Sequence, residues 1–154
     1  MKIIKNANLI TMSEKYGNIE NGYVKILDHK IIEVGKMSDF SDSNIDAEII
    51  EAEGRITTPG LVDAHSHLGM WEDGLDFEGD DGNEDTDPCT PQLRAIDAIN
   101  PMEASFREAF ASGITTVITG PGSANPIGGQ LAAIKTYGKR IDCLLYTSDA
   151  ADEL

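Results

Sequence analysis

The sequence predicts an α/β chain in which a β-rich start gives way to alternating strands and helices. Three observations carry that prediction. Residues 1 to about 57 hold several short runs rich in Ile and Val, broken by Gly and Asn. A Pro59-Gly60 break then introduces "LVDAHSH". Beyond it the order is strand, loop, helix, strand, loop, helix, which reads as the start of a parallel α/β barrel or sheet.

The early strands are expected at "KIIKNANLITM", "GYVKIL", "KIIEVG" and "AEIIEAEGRI". Asp28-His29-Lys30 falls between two apolar runs and is expected to form a hairpin turn, with His29 a solvated turn residue. After the Pro-Gly break, "GLVDAHSH" is a strand. "NPMEASFREAFASG" reads as a helix with Asn100 as cap, Pro101 at its first position, Glu103 reaching back and Gly113 as the stop. Met102, Phe106, Ala109 and Phe110 would share its apolar face. "ITTVIT" is a short β-branched run of the kind found in buried parallel strands. The Gly/Pro loop "GPGSANPIGG" leads to "QLAAIKTY", expected to be a second helix ended by Gly138.

Composition excludes several functions. A formal charge of −15 argues against nucleic acid or an anionic membrane as partner, since both require a basic footprint. Small molecules are the expected partners. The first residues lack the apolar run of a secretory signal, and nowhere do about 18 apolar residues follow one another. Cys89 and Cys143 are too few for a disulfide framework and lack zinc-ribbon spacing. A reducing, cytoplasmic setting is expected. Nine acidic residues lie between Glu72 and Asp87. A calcium loop begun at Asp76 would place Asp81 where position 6 requires Gly, so the stretch reads as a solvated loop over the mouth of a site.

On a strand, Asp63, His65 and His67 would line one face. Two imidazoles side by side point to a metal, although a catalytic zinc takes three protein ligands. Asp63 is placed to hold one imidazole in its ligating tautomer. The loop "GPGSANPIGGQ" matches neither the Walker nor the dinucleotide pattern. Because it follows a strand's C-terminal end, Asn125 and Gln130 are candidates to face substrate, and Trp71 either walls the pocket or packs.

"TPGLVDAHSH", preceded by the β-layer and followed by "AFASGITTVITG", resembles the metal-dependent amidohydrolases, particularly those similar to imidazolonepropionase. The resemblance implies an incomplete (β/α)8 TIM-type barrel preceded by a small β-sandwich segment. It implies that residues 1–57 are the sandwich segment and 58–142 the first two βα units. It makes His65 and His67 metal ligands for one or two divalent ions, zinc being the first choice over manganese, iron or nickel. The reaction implied is hydrolysis, by metal-activated water, of a cyclic or linear amide or amidine C–N bond that is not a peptide bond. The family's further ligands, including a lysine, and its aspartate base come from later strands. Lys135 lies too early for that lysine's role.

A complete barrel needs about 250 residues, so the chain is expected to be an N-terminal fragment that is itself inactive, while the intact protein is expected to be an enzyme and a possible homo-oligomer. Residues 143–154 depart from the family, and "CLLYTSDAADE" resembles one reading frame of a transposon-end adapter used in sequencing libraries. That resemblance makes the tail an artefact. Two other readings stay open, a non-catalytic amidohydrolase-like assembly protein and a stand-alone acidic binding module.

Overall fold

A computed structural model describes residues 1–41, 46–72 and 74–138. The tail from Cys143 to Leu154 and the last residues of the 58–142 segment lie outside these described residues. The chain divides into two compact units, Met1–Pro59 and one that begins at Gly60.

In the first unit, β1 (Lys2–Ile10), β2 (Asn18–Leu27), β3 (Lys30–Lys36), β4 (Glu48–Glu51) and β5 (Ile56–Thr57) form one sheet. Its order is β3-β2-β1-β4, with β5 also on β1. β1 runs antiparallel to β2 and parallel to β4 and β5. Along β1 the inward positions Ile3, Ala7 and Leu9 are buried, and Ile19 and Val24 of β2 join Ala7 and Leu9 in the core with Ala52. The β2–β3 turn is tighter than expected, because Leu27 already pairs with Lys30 and only Asp28 and His29 lie between them. Asp28 takes a positive φ of 53°, a conformation Asp tolerates better than most residues.

In the second unit, β6 (Leu61–Ser66), β7 (Ile114–Thr119) and β8 (Ala132–Lys135) make a sheet of order β6-β7-β8. β6 and β7 are parallel, as the strand-helix-strand pattern requires. Between them lie α1 (Ala95–Ala98) and α2 (Ala104–Ala111). The unit's core gathers Met70, Ala95, Ile99, Phe106, Val117, Ala132 and Ile134.

Two local expectations are corrected. α2 begins at Ala104, three residues after the expected first position at Pro101, with Glu103 at its N-cap position. Asn100 Oδ1 still accepts the Met102 amide, but this bond closes a turn ahead of α2, and its Nδ2 donates to Glu72 Oε1. Of the expected apolar face only Phe106 is buried, while Met102 and Phe110 are exposed. The C-terminal stop is as read, with Gly113 at φ 88° donating its amide to Phe110.

The second helix is instead the strand β8, antiparallel to β7. Its helix-forming alanines are overruled by an alternation in which Ala132, Ile134 and Thr136 turn inward. Lys135 is therefore a strand residue, and its Nζ donates to Thr116 Oγ1 at 3.2 Å.

Candidate metal centre

The histidines sit where β6 ends. Asp63 pairs with Val117 and Ser66 with Thr119, so β6 carries one residue more than β7 across this step. Such a bulge breaks strict alternation and re-aims side chains. Asp63 Oδ1 accepts the backbone N–H of His65 at 3.1 Å, a local bond that fixes the irregular backbone. Asp63 thus serves the main chain of His65 here, in place of the expected imidazole.

The two rings lie with centroids 5.2 Å apart and planes at 80°. His67 Nδ1 lies 2.6 Å from the Gly120 carbonyl oxygen, at the C-terminal end of β7. A carbonyl can only accept, so Nδ1 carries the proton and Nε2 presents its lone pair. This is the arrangement of a metal-ligating histidine whose outer nitrogen is held by a backbone acceptor. The donor set fits a divalent ion in kind but is incomplete. Among the described residues no group of three or more His, Cys, Asp or Glu side chains gathers to hold one.

Trp71 follows closely, its ring edge-on to His67 at 5.5 Å. It is both wall and packing residue. Gly82 lies so close beneath the indole that a Cβ there would strike the ring, yet Trp71 keeps 40% of its surface exposed.

The acidic loop after β6 is more ordered than a merely solvated loop. It is laced to the Gly/Pro loop after β7. Gly122 donates to the Gly82 carbonyl at 2.6 Å, and Thr90 donates its amide to Ile127 at 2.8 Å. Farther on, Gln130 donates to Leu93 and accepts from Ala95. Asn125 Nδ2 donates to the Glu84 carbonyl at 2.6 Å and reaches Asp87 at 3.4 Å. Asn125 is therefore a staple between loops, while Gln130 is exposed and joins them through its backbone. Glu84 is held below the usual carboxylate range, first by the Thr86 hydroxyl and then by the Thr86 amide. This lacing lay beyond pattern reading, since glycine amides paired across loops leave no periodic signal.

No family model matches the chain. Among solved structures, an amidohydrolase from Thermotoga maritima MSB8 aligns with a TM-score of 0.82 and 35% identity, over 97% of this chain and 37% of its own. Amidohydrolase tasK of Hapsidospora irregularis is 38% identical over 118 residues, which is 76% of this chain and 11% of that protein. This chain belongs to the amidohydrolase superfamily. Within that superfamily, an imidazolonepropionase of Colwellia psychrerythraea is 46% identical over 70 residues, covering 41% of this chain and 17% of its own. A 5-methylthioadenosine/S-adenosylhomocysteine deaminase of Bacillus thuringiensis is 42% identical over 65 residues, covering 42% and 15%. This amidohydrolase chain therefore spans 17% or less of those three curated relatives and 37% of the solved one. The α/β class expected of it agrees with the solved relative. Among the described residues, no helix is long and apolar enough to cross a membrane.

Proposed function

We propose that this chain supplies the opening pair of metal ligands, His65 and His67, to a hydrolase acting on a cyclic or linear amide or amidine C–N bond. The observation that carries the reading is the His67 Nδ1 contact with Gly120, which leaves Nε2 free to ligate beside the ring of His65. Zinc suits these imidazoles. A divalent ion held there supplies Lewis-acid activation of water and of the group attacked. The chain's own part is positional: Gly120 sets the His67 tautomer, the Asp63 bond sets the backbone of His65, and the laced loops hold both strand ends.

The remaining ligands and the general base belong, on this reading, to later strands of a (β/α)8 barrel. Residues 1–57 then form a sandwich segment and 58–142 the first two units, a division supported by the break between units after Pro59. The substrate is a small molecule. DNA read past the codon for Asp142 is expected to encode a third barrel strand and later His, Lys and Asp at strand ends. A stop codon directly after Leu154 would count against this.

Metal binding is the direct test. Cobalt(II) added to the purified chain is expected to give a visible d–d band, and His65→Ala and His67→Ala should each weaken binding about tenfold or more. Equal cobalt affinity in the double variant would sink the proposal. By itself the 154-residue chain should turn over no lactam, imidazolone or acyl dipeptide, because a general base is not among its candidate residues.

A further inference from the structure

We propose that Trp71 and Asp80 form a seat for a cationic group, ammonium or guanidinium in class, beside His67. Calling that group part of the substrate rests on the hydrolase reading above; the seat itself does not.

Trp71 and Asp80 face each other as an antiparallel bridge. Directly opposed residues in such a bridge start their side chains from neighbouring Cβ atoms on the same face, so one small cation could meet both the indole and the carboxylate. The surrounding backbone is held on both sides, by Glu72 N–H to the Gly79 carbonyl at 3.0 Å and Asp81 N–H to the Met70 carbonyl at 2.9 Å. Asp80 Oδ1 also accepts the Gly82 amide at 2.9 Å, which fixes the carboxylate. Gly82 in turn supports the ring.

An indole face attracts cations through its quadrupole, and a neighbouring carboxylate adds a full charge. Elsewhere the chain uses its own lysines this way, over Phe40, Tyr16 and Tyr23. Among the described residues none sits over Trp71. The indole lies 5.5 Å from the His67 ring, centroid to centroid, within reach of a small substrate held at the histidines. A net charge of −15, with nine acidic residues between Glu72 and Asp87, concentrates cations there. A neutral planar ring would gain the stacking but nothing from Asp80.

Trp71 is the chain's single tryptophan, so its emission reads this place alone. The full chain is titrated with tetramethylammonium chloride, and with sodium chloride at equal ionic strength. A saturable emission change with the organic cation alone is expected, together with protection from acrylamide quenching. Asp80→Asn keeps the Oδ1 acceptor for Gly82 and should weaken the cation about five- to tenfold. By saturation-transfer NMR on the methyl groups, Trp71→Phe should retain binding and Trp71→Leu should lose it. If Trp71→Leu does not fold, Asp80→Asn decides. An identical response to sodium, or unchanged affinity in Asp80→Asn, overturns the seat. So does a chain that binds cobalt through its histidines yet ignores tetramethylammonium, which would leave the hydrolase reading standing.

Discussion

Tyr23 is buried, and its hydroxyl donates to Glu33, whose other oxygen accepts from Lys25 Nζ at 2.8 Å. Its pKa is pushed up to about 12, first by the Glu33 bond, then by burial and by the charges of Glu33 and Asp39. A folded pKa above the unfolded one of about 10 means a contribution complete below pH 10 and lost as pH rises through 12. The stability gap between wild type and Tyr23→Phe should therefore stay level to about pH 10 and shrink by pH 12, as read by urea midpoints. A gap that did not change with pH would contradict the coupling. Glu33 behaves oppositely: held low first by Lys25 and then by Tyr23, it contributes above the ordinary carboxylate pKa and fades as pH falls through its lowered value. At this scale the histidine spacing was legible, because His-x-His near a strand end keeps two rings together whether or not the alternation is perfect. The role of Asp63 was not, since one extra residue in β6 redirects its carboxylate to a backbone amide.

Within α2, side chains that look alike in sequence differ in burial. Phe106 is 3% exposed and Phe110 46%. Phe106→Ala should cost about 3–5 kcal/mol and Phe110→Ala under about 1 kcal/mol, measured by denaturant unfolding. Similar costs would restore the broader apolar face read from periodicity. The loops make the complementary case. Asn125→Ala removes a donor to Glu84 and Asp87 and should cost about 1–2 kcal/mol. It should also speed hydrogen exchange at the Gly122 amide, which donates to Gly82. Unchanged exchange would mean that the loops hold without the staple. The first unit's strands were legible from their Ile and Val runs, and β7 from its β-branched residues. β8 was not. Its alanines favour a helix locally, and only the open edge of β7 makes the strand pay, through contacts that distant residues supply.

Across the whole chain, high charge and exposed apolar edges oppose each other. Among the described residues β6 is paired on one side only, with Leu61 54% and Val62 65% exposed. Exposed apolar edge strands recruit other chains. At 1 M salt the screening length falls to about 3 Å, so repulsion among copies should fade and self-association appear in sedimentation velocity. Val62→Lys should reduce it. A monodisperse monomer at that salt with a sharp melt would contradict the prediction. The antiparallel return of β8 also sets an order of events in time. Lys135 meets Thr116 across 19 positions, whereas His67 meets Gly120 across 53. Closing the longer loop costs about 1 kcal/mol more in chain entropy, so the β7–β8 hairpin is the natural nucleus and β6 docks afterwards. The tautomer of His67 is then fixed only in the last step, and a metal offered during refolding should be captured late, on the time course of β6 docking rather than of the hairpin.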